Sequence, residues 1–64
     1  MDKDAIVDAI LLALKTGFKT EDEVIEECGD LAKSGLLDFT YLRYKDEVLY
    51  KKVMEWCEKH PPEL

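Results

Sequence analysis

The first apolar segment of the chain carries hydrophobic residues around most of a helical circumference. At about 100° per residue, only Asp4, Asp8 and Lys15 mark a narrow polar edge. This pattern predicts a helix over residues 3–16. Gly17 follows directly, and glycine commonly closes a helix because it adopts the left-handed conformation without strain.

A helix with so little polar surface needs more cover than a short chain provides. The chain has 64 residues, and a domain of this size buries only about 60% of the surface that it exposes when unfolded. Other helices of the same chain would therefore leave part of the first helix uncovered. We expect a homodimer or higher oligomer, whose predicted interface consists of Val7, Leu11 and Leu12.

The second segment is typical of an amphipathic helix over residues 20–34. Thr20 and Glu23 form a capping-box pattern, in which each side chain accepts a hydrogen bond from a backbone N–H at the start of the helix. Apolar residues then follow on one face and acidic residues on the other. Gly35 marks the predicted end.

The third predicted helix covers residues 46–60, with Asp46 as its N-cap and Pro61 beyond its end. The segment 37–45 before it does not continue the helical pattern. It alternates in a way that suits a short extended strand, although a one-turn helix capped by Asp38 also agrees with it.

Two short stretches resemble parts of known families. Residues 31–37, followed by 39–43, 45–46 and 48–50, resemble the end of a winged-helix recognition helix and its wing, which implies a β-hairpin over residues 38–53. Residues 49–60 are similar to one helix of the POZ-fold adaptor of cullin ubiquitin ligases, which implies a helix with Trp56 and Cys57 on its packed face. Each resemblance covers a short stretch, and the sequence assigns the chain to no family.

These patterns predict one all-α domain over residues 1–64. The predicted architecture is a compact three-helix domain with a short extended segment between the second and third helices. The alternative is a winged helix with a C-terminal β-hairpin.

Charge is distributed unevenly between the two halves of the chain. The net charge is −6, and all of it lies in residues 1–32, which hold nine acidic and three basic side chains. Several of these carboxylates repel one another at i, i+4 spacing along the second helix. They form what we call the acidic ridge, which consists of Glu23, Glu26, Glu27 and Asp30. We expect the ridge to bind a basic partner, although a merely solvated face has the same composition.

The only basic and aromatic cluster lies in the second half of the chain. Its cations are Arg43, Lys45, Lys51 and Lys52, and three tyrosines lie among them. Such a combination can bind nucleic acid by stacking and phosphate contacts. The net negative charge of the chain weighs against this interpretation, so DNA binding by a winged-helix transcriptional regulator is the alternative to a protein-binding function.

Candidate catalytic and cofactor-binding residues are few. Glycine-rich phosphate-binding loops and the nucleophile-elbow motif are missing from the sequence. Cys28, Cys57 and His60 are conceivable zinc ligands, but their spacing matches no zinc pattern, and two thiols buried as small hydrophobic side chains are the favoured interpretation. We expect a non-enzymatic protein without metal or cofactor, acting as a small acidic regulator, inhibitor or adaptor.

The cysteine content and the length of the apolar run indicate in which cellular compartment the protein resides. Two cysteines are too few for the disulfide framework of a small secreted domain. The apolar run of the first helix is too short to span a bilayer and lacks the features of a signal peptide. We therefore expect a cytoplasmic protein that is not inserted in a membrane.

Overall fold

The computed structural model describes residues 2–61, and these form four α-helices without strands. The helices are α1 (Lys3–Lys15), α2 (Glu21–Lys33), α3 (Phe39–Lys45) and α4 (Glu47–Lys59). The all-α class is confirmed, whereas the predicted count of three helices is one too low. None of the helices within residues 2–61 has the length and apolar character that crossing a membrane requires.

Every helix begins at a side chain that accepts a hydrogen bond from the backbone of its first turn. Asp2 caps α1, and Thr20 forms the predicted capping box with Glu23 at the start of α2. Asp38 Oδ1 accepts from the N–H of Tyr41 at 3.1 Å, and Asp46 Oδ1 accepts from that of Leu49 at 3.0 Å. These caps satisfy N–H groups that have no partner within the helix and so fix where each helix starts.

The helix α3 corrects the prediction that residues 37–45 form an extended segment. Asp38 caps the helix, Leu42 is fully buried, and the ring of Phe39 meets that of Tyr50 edge-on with centroids 6.3 Å apart. The alternative of a single turn capped by Asp38 was closer, although α3 has seven residues. Packing of Leu42 and Phe39 decides between two local patterns that the alternation alone left open.

The predicted β-hairpin over residues 38–53 is also wrong. This stretch is helical on both sides of Asp46, which ends α3 with its backbone and caps α4 with its side chain. Its backbone is extended, with φ of −153°, so a single non-helical residue separates the two helices. The winged-helix alternative is therefore overturned.

The core lies where α4 packs against α2 and α3. Of the helix pairs, α2 with α4 and α3 with α4 share the most extensive interfaces, and α1 packs less extensively against α2 and α3. Eight residues are buried in one cluster: Val7, Ile10, Val24, Cys28, Leu37, Leu42, Leu49 and Val53. The Cα radius of gyration is 10.9 Å, close to the roughly 10.7 Å expected for a compact chain of this length.

A glycine allows α2 and α4 to approach each other closely. Gly29 of α2 lies against the ring of Trp56 on α4, and a Cβ atom at Gly29 would stand only 2.2 Å from ring carbons of Trp56. The absence of a side chain at this position therefore lets α2 and α4 pack closely at Trp56.

Candidate protein-binding surface

An apolar groove runs along α1 and reaches Glu27 of α2. Ile6, Ala9 and Ala13 line it, and Leu12 and Phe18 form its exposed walls. The two wall residues are 60% and 81% exposed, and the groove has a volume of about 560 Å³. We call this surface the α1 groove; its remaining lining residues are Ile10, Thr16, Lys19 and Glu27. Exposed apolar surface gathered in one concavity is typical of an interaction site.

The three residues predicted to form an oligomer interface occupy different places. Val7 is 1% exposed and belongs to the core, so it offers no surface to another chain. Leu11 is half-buried and packs against the core, while Leu12 is exposed in the α1 groove. Of the predicted set, Leu12 alone presents most of its side chain to solvent.

Phe18 is a large exposed apolar residue of the α1 groove that the sequence pattern did not predict. It lies in the turn between Gly17, whose φ is 77°, and the cap of α2. A bulky aromatic residue in a short polar turn was the available signal. Because the turn holds Phe18 beside α1, the groove extends beyond the end of that helix.

The acidic ridge lies on α2, on the surface adjacent to the α1 groove. Glu23, Glu26, Glu27 and Asp30 line a shallow groove together with Lys19, Leu31 and Ser34. The structure thus brings all four predicted residues together, as their helical spacing requires.

The four ridge carboxylates differ in how they are already used. Glu23 Oε1 accepts from the N–H of Thr20 at 3.1 Å as part of the capping box, and Glu27 is in an ion pair with Lys19. Glu26 and Asp30 are exposed, and within residues 2–61 neither takes part in an ion pair. These two are therefore the carboxylates most available to a partner.

The electrostatics of Glu23 follow from its role as a cap. The backbone N–H of Thr20 and then the Thr20 hydroxyl stabilise the ionised carboxylate, and Lys19 adds a smaller attraction, so the pKa of Glu23 is lowered. Glu23 therefore keeps its negative charge to lower pH than an ordinary glutamate.

Lys19 and Glu27 connect the two grooves. Both residues line the α1 groove and both line the acidic groove on α2. Their ion pair lies at the shared border, so an apolar surface and a carboxylate surface are adjacent along one side of the molecule. Apolar contact area beside fixed charge of one sign is the arrangement that protein interfaces use for affinity and orientation.

The four cations of the basic cluster interact with groups of this chain. Lys52 Nζ lies 2.7 Å from Glu21 Oε1 and so connects α4 to α2. The Glu47 carboxylate lies 3.5 Å from Lys51 Nζ and 4.0 Å from Arg43 Nε, between these two cations. Lys45 Nζ lies 5.5 Å from the centre of the Tyr41 ring. Each of the four residues predicted as a possible nucleic-acid contact therefore has an ion-pair or cation–π partner within the chain.

Cys28 and Cys57 are free thiols, and Cys28 is fully buried. Burial, with a smaller contribution from Glu27, raises the pKa of Cys28 to about 11, and burial also raises the pKa of Cys57. Both thiols therefore stay protonated and weakly nucleophilic near neutral pH.

His60 stacks on Trp56 with ring centroids 4.2 Å apart, and its Nδ1 lies 2.9 Å from the carbonyl oxygen of Trp56. Over residues 2–61, no three His, Cys, Asp or Glu side chains come together in a way that could hold a metal ion. The conceivable zinc site from Cys28, Cys57 and His60 is thus not assembled in the structure.

Comparison of the chain with models of known protein families, with curated proteins and with solved structures finds no match.

Proposed function

We propose that the chain is a non-enzymatic protein-binding module, a small acidic regulator, inhibitor or adaptor that acts as an oligomer. Its acidic ridge binds a basic partner protein, and α1 mediates its self-association. The observation that carries the proposal is the adjacency of the α1 groove and the acidic ridge across Lys19 and Glu27.

The distribution of ion pairs supports a basic partner for the ridge. Lys51 and Lys52 of α4 interact with Glu47 and Glu21, outside the ridge. Lys19 neutralises Glu27, and the exposed carboxylates of Glu26 and Asp30 lie one helical turn apart, neither of them in an ion pair with residues 2–61. Like charges at this spacing repel by a few tenths of a kcal/mol, and a lysine or arginine of a partner placed between them removes that repulsion.

The exposed apolar residues support self-association. Leu12 and Phe18 are both more than half exposed, although side chains of this kind gain about 1.5–3 kcal/mol when they are fully buried. A second copy that covers the α1 groove supplies that burial. The free thiols of Cys28 and Cys57 suit a reducing compartment, and for that reason we place the module in the cytoplasm.

The ridge is tested with the double variant Glu26→Gln/Asp30→Asn, which removes two charges and leaves the Lys19–Glu27 ion pair and the Thr20–Glu23 capping box intact. The matched control is Glu55→Gln/Glu58→Gln, which removes two exposed charges from α4. Each protein is immobilised and used to capture partners from extract over a series of salt concentrations, and a captured protein is then purified and titrated against all three forms.

We expect the ridge variant to bind the purified partner several-fold more weakly and with less salt dependence, because it has lost charge-assisted contacts. The control should bind as the unaltered chain does. Equal binding by the ridge variant would show that the ridge is a solvated face, and equal weakening by the control would show that only net charge matters.

A further inference from the structure

We propose that Asp46 is a one-residue hinge, at which α3 and α4 join into one continuous helix so that two copies of the chain exchange α4. In the exchanged dimer, α4 of each copy occupies in the other copy the place that it takes within its own chain in the structure. The inference goes beyond the proposed function, because it involves neither the α1 groove nor the acidic ridge.

The backbone is helical on both sides of Asp46 and departs from the helix at this residue alone. The Asp46 N–H donates to the carbonyl oxygen of Leu42 at 2.8 Å, as it would inside a helix, and the Asp46 carbonyl oxygen accepts from the N–H of Tyr50 at 3.0 Å. Between these two bonds, the φ of −153° and ψ of 91° turn the chain. A change of one residue from extended to helical dihedral angles therefore aligns α3 with α4.

Straightening also satisfies backbone groups at the corner. The last carbonyl groups of α3 and the first N–H groups of α4 have no partner within their own helices. A continuous helix pairs the N–H groups of Glu47, Val48 and Leu49 with the carbonyl groups four residues earlier. In the closed chain, Asp46 Oδ1 replaces one of these bonds by accepting from the N–H of Leu49 at 3.0 Å. The side chain of Asp46 is thus the local feature that favours the corner.

The residues beside the hinge suit a continuous helix. Arg43, Glu47 and Lys51 follow one another at i, i+4 and i+8 with alternating charge, and Glu47 is in ion pairs with both cations. Ion pairs at this spacing stabilise a helix. Residues 39–59 contain neither proline nor glycine, the two residues that disfavour a helix most strongly.

The buried contacts of α4 determine which segment takes its place when the hinge opens. Leu42 of α3 and Leu49 and Val53 of α4 are no more than 2% exposed, and Trp56 packs against Gly29 of α2. A straight helix in a single chain separates α3 from α4 and exposes these apolar side chains. The α4 of a second copy restores every one of the lost contacts, because its surface is identical.

The exchange requires α4 to leave the core, so it takes place when unfolded chains refold together at high concentration. The chain that folds in dilute solution keeps the closed corner. We therefore expect a fraction of exchanged dimer that grows with the protein concentration during refolding.

A cross-link between α2 and α4 distinguishes the closed chain from the exchanged dimer. Lys52 Nζ lies 2.7 Å from Glu21 Oε1, so Glu21→Cys with Lys52→Cys places two thiols across this contact. Cys57→Ser is the background, and Cys28 is fully buried. The chain is unfolded in urea, refolded at low and at high concentration, and treated with a short bismaleimide.

A denaturing gel then separates the two products. The closed chain runs as a monomer that is cross-linked within itself, whether or not it associates through another surface, and the exchanged dimer runs as a covalent dimer. Chains with only one of the two introduced cysteines measure random cross-linking between molecules.

Substitutions at the hinge should shift the outcome in opposite directions. Asp46→Ala removes the cap and adds a better helix former, so we expect a several-fold larger fraction of covalent dimer after refolding at high concentration. Glu47→Pro should lower that fraction to the level of the single-cysteine controls. Proline fits the first position of α4 and favours an extended residue before it, but it breaks a continuous helix. Asp46→Asn keeps a capping side chain and should behave as the unaltered hinge does.

Equal fractions of covalent dimer from Asp46→Ala and Glu47→Pro would overturn the hinge, because only the first permits a continuous helix. Covalent monomer alone from every variant at every concentration would overturn the exchange, and a dimer seen by sedimentation in the same samples would leave the self-association of the proposed function intact. If Asp46→Ala does not refold, Glu47→Pro is compared with the unaltered hinge, and equal fractions of covalent dimer from these two would again overturn the proposal.

Discussion

The helices α1 and α4 have the same length of 13 residues and opposite relations to the rest of the molecule. The helix α4 packs on both α2 and α3, and its polar face is covered with charged residues. The helix α1 is the more hydrophobic of the two, and each helix buries two residues, Val7 and Ile10 in α1 and Leu49 and Val53 in α4. Yet α1 packs less extensively against its neighbours than α4 does, so hydrophobicity and packing match in α4 and do not match in α1.

The contacts that hold the two helices also differ in kind. Leu49 and Val53 anchor α4 in the core, and Trp56 packs against Gly29. Polar contacts to α3 also hold α1: Tyr41 donates to Asp8, and Asp4 shares a hydrogen bond with Asp38. The helix α4 thus completes the core of the chain, whereas α1 keeps exposed apolar surface at Leu12.

Removal of a core side chain from α4 should have the largest effect. Leu49 is 2% exposed, and we expect Leu49→Ala to lower the free energy of unfolding by about 3 kcal/mol because it leaves a cavity in the core. Urea denaturation followed by circular dichroism measures the change. A loss below about 1 kcal/mol would show that α4 is not the principal anchor of the core.

A smaller loss is expected where α2 meets α4. In Gly29→Ala the new methyl group displaces the Trp56 ring, and overpacking of this kind costs about 1–3 kcal/mol, partly offset by the gain of about 1 kcal/mol from a better helix former. We expect a net destabilisation of about 1 kcal/mol and a red shift of the Trp56 fluorescence as the ring becomes more exposed. Higher stability with unchanged fluorescence would contradict the close contact.

The polar attachment of α1 should respond to pH. Desolvation raises the pKa of the half-buried Asp4, and its hydrogen bond with Asp38 and nearby carboxylates raise the pKa further. A raised pKa in the folded state means that the stability from this group is present below its ordinary value of 3.8 and is lost as the pH rises through the raised value.

Asp4→Asn mimics the protonated form and should therefore raise the midpoint of unfolding slightly at neutral pH. We expect the difference from the unaltered chain to vanish in acid, where Asp4 itself is protonated. Thermal unfolding at several pH values measures it. Since Asp2 and not Asp4 caps α1, the exchange leaves the cap in place, and a lower midpoint at neutral pH would argue against the Asp4–Asp38 contact.

The parts of the fold that the sequence predicted are those with local signals. The start of α2 was predicted from Thr20 and Glu23, and the start of α4 from Asp46. Gly17 and Gly35 take the positive φ expected at helix ends. The helix α3 was missed because seven residues are too few for a helical period to stand out against alternation. Its helical state depends on tertiary burial of Leu42, which no local pattern reveals.

The candidate site was predictable to a similar degree. That the four ridge residues share one face of α2 was predictable, because helical spacing alone determines it. Val7 was placed at an interface because a helix that is apolar nearly all round does not reveal which side its own chain covers. Phe18 was missed because its importance comes from the turn that holds it beside α1.

The most direct test of the mismatch between α1 and α4 is the association state of two matched variants. Leu12 and Val48 are 60% and 64% exposed, so Leu12→Glu and Val48→Glu should each change the stability of the folded chain by no more than about 0.5 kcal/mol. Sedimentation equilibrium over a concentration series should give a dimer for the unaltered chain and for Val48→Glu, and a monomer for Leu12→Glu. A folded monomer for the unaltered chain, or equal association of all three proteins, would contradict the account.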